Sequence, residues 1–130
     1  MTPNLELYNA IYKYCQNWLG FETYDTPPLL EVAYPFIVLG SLESNPTNYK
    51  TAFYSKNTIT LDVWGNENMK ADVLQALEKL AKLPNIKTDH YQFISRLKEN
   101  QTELITDTSV KDTVLNHGIA TLVFDCMPRG

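Results

Sequence analysis

Two hydrophobic periods alternate along the chain, and each change of period marks an element. Leu5, Tyr8, Ile11, Tyr12, Cys15, Trp18 and Leu19 recur at helical spacing among Asn4, Glu6, Lys13 and Gln16. Thr2-Pro3 offers an N-cap followed by proline at the first helical position, and Gly20 offers a C-terminal cap. The pattern predicts an amphipathic helix of about four turns. Phe21 to Thr26 reads as a short strand, cut off by Pro27-Pro28. Tyr34-Pro35-Phe36-Ile37-Val38-Leu39-Gly40 is an apolar run without a charge, as in a strand buried on both faces. Asn57 to Trp64 alternates instead. Ile59, Leu61 and Val63 point one way, and Thr58, Thr60, Asp62 and Trp64 the other.

These two strands are expected to pair, and the connection between them runs from Ser41 to Lys56. After Gly65-Asn66-Glu67-Asn68, a turn with capping chemistry, Met69, Val73, Leu77, Leu80 and Ala81 form a second helical stripe. Lys70, Asp72, Glu78, Lys79 and Lys82 lie opposite it, and Leu83-Pro84 ends it. Tyr91, Phe93 and Leu97 then alternate with Gln92, Arg96 and Lys98. Thr102 to Thr106 either continues that strand or follows a bulge. Thr108 to Asn116 is polar and turn-like, and His117-Gly118 opens a last strand. In it Ala120, Leu122 and Phe124 oppose Ile119, Thr121 and Val123, and Met127 to Gly130 remains as a tail.

Strands joined directly in pairs, with one helix before and one between, point to an α+β domain over residues 1–130. Its sheet is expected to be mainly antiparallel, of about four to five strands, packed against both helices. A long loop is expected between the two central strands. Phe36, Val38, Ile59, Leu61, Val63, Val73, Leu77, Leu80, Leu122 and Phe124 are the expected core.

Composition narrows the function more than the fold. The chain has 130 residues, 44% of them apolar and 20% charged, which is ordinary for a globular domain. A net charge of −4 and a pI of about 5.1, with no basic run, argue against a protein built to grip nucleic acid. Cys15 and Cys126 sit inside apolar patterns at opposite ends of the chain, which favours buried thiols in a reducing, cytosol-like compartment over a disulfide. His90 and His117 lack metal-ligand spacing, so no metal site is expected. No signal-type leader and no membrane-length apolar run is visible.

A search for catalytic or cofactor motifs yields nothing. GxGxxG, GxxxxGK[ST] and GxSxG are all absent from the sequence. Asp62 beside Trp64 could be drawn as an active-site acid, but its alternation phase makes it a solvent-face residue. His117 beside a glycine reads as a turn residue. No cofactor and no enzyme activity are expected.

Three stretches carry a resemblance. They are Tyr24-Asp25, the run from Tyr34 to Gly40, and Thr58-Ile59-Thr60-Leu61-Asp62-Val63-Trp64 before a helix. With the ending His117-Gly118-Ile119-Ala120-Thr121-Leu122-Val123-Phe124, they resemble the phage tail-completion family. These are the small tail-to-head joining, or tail-terminator, proteins of long-tailed siphophages and related prophages. The resemblance runs from the first helix to the last strand. It departs at Lys111-Asp112-Thr113, where an aspartate-glycine turn is common, and in the longer loop after Gly40.

The resemblance implies a ring, typically a hexamer, on the head-proximal end of the tail tube. Such a ring stops tube polymerisation and joins the tail to the head connector, while DNA passes without specific binding. The protein would belong to the virion, after assembly in the cytoplasm of a bacterial host. The alternatives are another phage neck, head-completion or tail structural protein, or a small cytosolic ligand-binding α+β domain. The last would need a concave pocket with converging polar groups.

The connection from Ser41 to Lys56 is the candidate interaction site. Hairpin loops normally run about 2–5 residues, and this stretch is far longer. Asn48, Tyr49, Lys50, Phe53 and Tyr54 are its candidate contact residues, since aromatics dominate interface energetics. Fully extended arms would reach roughly 25 Å, past a domain whose radius of gyration is about 14 Å. The competing readings are a mobile insertion and an arm folded back on its own sheet.

Overall fold

The computed structural model describes residues 2–48 and 53–129. Helix α1 spans Pro3–Lys13, and the Thr2 hydroxyl accepts the Leu5 N–H at 3.2 Å, so the predicted N-cap is in place. The helix runs on into a π-helical turn, Tyr14–Trp18, and Gly20 closes it in the left-handed region at φ 73°. Extent and cap agree with the sequence pattern, but the wide turn breaks the helical phase. Cys15 stays fully buried while Trp18, expected on the same stripe, is 83% exposed.

Strand β1, Glu22–Tyr24, pairs in parallel with the start of β2, Phe36–Asn48. β2 pairs antiparallel with β3, Phe53–Asn66, as far as Asn48 opposite Phe53. The expected long loop is therefore mostly strand. Residues 41–48 and 53–56 belong to the ladder, and 49–52 lie outside the described residues. Two features hid this. The register shifts between Leu39 and Leu42, which changes the alternation phase, and Pro46 sits on a sheet edge, where proline is tolerated. Gly40 stands at the shift because a Cβ there would lie 2.8 Å from the Thr60 carbonyl oxygen.

Helix α2 spans Lys70–Ala81. Strands β4 (Ile86–Lys87), β5 (Tyr91–Ser95), β6 (Gln101–Asp107) and β7 (Leu115–Pro128) complete a sheet of seven strands, more than expected. Its order is β1-β2-β3-β7-β5-β4, with β6 also on β7, and all pairs except β1–β2 are antiparallel. β5 and β6 lie end to end along β7, separated by a 3-10 turn at Leu97–Glu99. This is the interruption that the sequence left open between one strand and a bulge. Asn100 holds it: its side-chain oxygen accepts the Val123 N–H at 2.9 Å, and its side-chain amide donates to the Ala81 carbonyl at 3.0 Å. The expected tail is shorter than predicted, because β7 continues to Pro128.

Ile37, Leu39, Ile59, Leu61, Val63, Ala120, Leu122 and Phe124 form one apolar cluster with Leu7 and Ile11 of α1 and Val73, Leu77 and Leu80 of α2. All ten expected core residues are buried. The approach of α2 to the sheet is closest at Gly118, where a Cβ would meet Val73 at 2.8 Å and Leu77 at 3.0 Å. Glu6 fastens α1 to the turn before β5. Its carboxylate accepts the His90 N–H at 3.0 Å and lies 2.9 Å from His90 Nδ1. Burial pushes the Glu6 carboxyl up, but the Thr88 hydroxyl and both His90 groups outweigh it, so it rests below its ordinary range.

Two measurements check this arrangement. Leu77→Ala leaves a cavity between α2 and β7 and is expected to cost about 2–5 kcal/mol in chemical denaturation. A loss under about half a kcal/mol would place Leu77 outside the core. The second concerns acid. A carboxyl depressed in the folded state stabilises above its unfolded pKa, and that contribution is lost as pH falls through the folded value. The Tm advantage of the native chain over Glu6→Gln is therefore expected to be full at pH 7 and to vanish well below about pH 4.

Candidate functional site

The face of the sheet away from the helices is not uniformly polar. The β3–β7 register sets Trp64 directly opposite His117, and their rings stack at 3.8 Å with planes 9° apart. Two residues back on β3, Asp62 Oδ1 lies 2.7 Å from His117 Nε2. Phe36 and Val38, at the start of β2, continue this face, and the segment 27–32 borders it. Together they line a groove of about 500 Å³, with Pro28, Leu30, Tyr34, Phe36, Trp64 and His117 among its walls. Leu29 and Leu30, at the rim, are 102% and 82% exposed. A double proline followed by two leucines in water presents apolar surface that folding alone does not reward.

Asp62 does lie on the outer face as expected, but it is paired rather than simply solvated. His117 is not a turn residue. It sits inside β7, its side chain 14% exposed between Trp64 and Asp62. Sequence reading missed this trio because each member lies at an unremarkable position, and only the pairing of β3 with β7 unites them. The groove walls carry Asp62, His117, Glu31 and Tyr34 as polar groups, with no serine, cysteine or lysine among them.

The same face carries a charged network further along the strands. Lys56 Nζ binds Glu99 Oε1 at 2.6 Å, Arg96 binds Glu99, and Arg96 Nη1 binds Asp125 Oδ2 at 2.7 Å. Hydrogen bonds from Lys56 and Arg96 hold the Glu99 carboxyl below its ordinary range. These side chains clamp the β5–β6 interruption to β3 and β7. On the helical side, Ala10, Lys13, Tyr14 and Trp18 face Leu83, Pro84 and Ile86 across a second apolar recess.

Of the sequence-predicted contact residues, Asn48 pairs with Phe53 and Tyr54 with Thr47 at the end of the β2–β3 ladder. Tyr49 and Lys50 lie outside the described residues. Because β7 pairs with β3 from Ser55 onward, Phe53 and Tyr54 stand just past that three-strand region.

Cys15 and Cys126 are both free and buried, and burial pushes the Cys15 thiol up to about 12, far from a reactive thiolate. Among the described residues no three His, Cys, Asp or Glu side chains gather as a metal site, and no helix is long and apolar enough to cross a membrane.

Comparison with known proteins separates fold from sequence. No protein-family description and no curated protein matches the chain. The fold, however, is similar to that of a chain in the virion of a native gene transfer agent particle. The two share a TM-score of 0.58 and 13% sequence identity, over 98% of this chain and 95% of that one. These findings define a class by fold: an α+β domain of two helices on a seven-stranded sheet, similar to that virion chain.

His117→Ala removes the stack on Trp64 and leaves Asp62 without its partner. A loss of about 1–2 kcal/mol in chemical denaturation is expected. A red shift of tryptophan emission should accompany it as water reaches the Trp64 face.

Proposed function

We propose that this chain is a virion structural protein that caps the head-proximal end of a phage-type tail tube as a ring. In that position it stops tube growth and joins the tail to the head connector. The observation that carries the reading is the near end-to-end likeness of fold to a chain of a gene transfer agent virion. The sequence patterns of the two central strands and the last strand support the finer assignment. A ring needs a side-to-side contact between unlike surfaces, plus two further faces for the tube and the connector. The apolar rim at Leu29 and Leu30, the recess beside Trp18, and the arm between β2 and β3 supply unlike surfaces on one small chain. The arm's Asn48, Tyr49, Lys50, Phe53 and Tyr54 are assigned to contacts with a neighbouring subunit or the tube. An acidic chain of net charge −4 also suits a channel that DNA traverses without sticking.

The test combines native mass measurement with negative-stain imaging of the protein mixed with cognate tube protein. Closed rings, typically hexamers, seated on tube ends are expected, and hydrolytic or transferase activity is not. A phage deleted for the gene should make tails of abnormal length that fail to join heads. Normal tails and infectious particles from that deletion would overturn the reading. Tyr49→Ala combined with Phe53→Ala is expected to leave the Tm of the isolated chain nearly unchanged and to weaken ring or tube binding at least tenfold. A much lower Tm with normal assembly would return those aromatics to the core.

A further inference from the structure

Besides the short outer edges of β1 and β4, two longer strand edges lie unpaired at diagonal corners of the sheet among the described residues. β1 covers β2 only along Phe36–Val38, so the outer edge of β2 from Leu42 onward has no strand beside it among the described residues. At the other side of the sheet, β6 pairs with β7 along all seven of its residues and with no other strand. Among the described residues, no backbone or side-chain hydrogen bond reaches the far edge of either stretch. Open edges of this kind template pairing with another chain, and monomeric proteins usually blunt them with proline, lysine, a bulge or a covering loop.

The two edges are treated differently. Gln101-Thr102-Glu103-Leu104-Ile105-Thr106-Asp107 has no proline, glycine or lysine, and its register on β7 is unbroken. Its Thr and Ile content favours extended backbone. β2 is limited by the register shift after Leu39 and by Pro46, which has no N–H to offer, so Leu42–Asn45 is its competent stretch.

Strand polarity decides what fits. β2, β3, β7 and then β6 alternate in direction, because each adjacent pair is antiparallel. With an even number of strands, a second copy of this chain set alongside, β2 next to β6, continues the alternation without a break. The β2 stretch lies level with the Leu122–Cys126 half of β7, and β6 with the Leu115–Thr121 half. Joining them therefore requires a slip along the strands, which is what strand tilt provides when a sheet closes on itself.

We infer that β6 of one subunit pairs antiparallel with the Leu42–Asn45 edge of β2 in the next, making one continuous sheet through the assembly. The inference rests on the ring reading and names its joint. Main-chain hydrogen bonds supply the contact, as in other cases of strand addition, and each subunit uses one edge of each kind. The joint is heterologous, so repeated around an axis it can close into a ring.

Hydrogen–deuterium exchange on the unmodified protein tests the joint, comparing dilute chain with assembled rings. Alternate amides of Gln101–Asp107 and of Leu42–Asn45 point away from their own sheet, and these should exchange at least tenfold more slowly in the ring. Two proline variants add an independent arm. In an antiparallel strand the N–H groups of adjacent residues point to opposite sides, so one of Thr102→Pro and Glu103→Pro removes an outward donor and the other an inward one. The outward variant should fold with a near-native Tm and fail to assemble. Rings in which both stretches still exchange freely would overturn the edge joint and leave the ring reading standing. Absence of any ring, even with tube ends present, would overturn both.

Discussion

β7 is the constraint on which the rest of the structure depends. Like β3, it has neighbours along both edges for most of its length, but it alone serves three strands, β3 on one side and β5 followed by β6 on the other. Its inner face carries Ala120, Leu122, Phe124 and Cys126 into the core, and Gly118 sets how near α2 can come. A side chain at that position would push α2 away from the sheet and open the contact that buries Val73 and Leu77. The interruption between β5 and β6 is a consequence of the same strand. Two segments share one edge, so the chain must leave and rejoin it, and Asn100 substitutes for the missing backbone partner at Val123.

Much of this was legible in the residues. Period-two alternation from Asn57 to Trp64 and from Ile119 to Phe124 identified the inner face of both central strands, because side chains on a pleated strand have no choice of side. The stripe of α2 was equally plain. What the sequence hid has a common physical cause: it depends on partners distant along the chain. A tract such as Ser44-Asn45-Pro46-Thr47-Asn48 has turn composition, yet an edge strand asks little of its residues once β3 supplies the hydrogen bonds. The phase shift at Gly40 disguised it further. β4 is too short to produce a period at all. Trp18 left its stripe because a π turn, which composition does not announce, rotated it outward.

The candidate site divides in the same way. The aromatic arm is a candidate nominated by residue type alone, whereas the groove could not be nominated that way. Asp62, Trp64 and His117 become a unit through one register, with His117 half a chain away from the other two. Either residue read singly has an ordinary explanation, a solvated acid or a turn histidine. Leu29 and Leu30 beside a double proline are exposed at the groove's rim, a placement that residue type alone does not announce.

The polar chemistry of the chain divides into groups that hold the fold and surface that is left open. Some charged groups hold the fold together: Lys56, Arg96, Glu99 and Asp125 fix the broken edge of the sheet, and Glu6 with His90 fixes α1. Its thiols are buried, with Cys15 far from ionisation at neutral pH. Apolar surface also faces outward in separated places, at Leu29 and Leu30 and at Trp18, and main-chain edge lies open along β2 and β6 among the described residues. Apolar patches give affinity without direction, while strand edges give direction and spacing with modest affinity. The proposed ring would draw on both. The two kinds of surface lie on different parts of the same sheet, so that the geometry of one strand, β7, sets the angle between them.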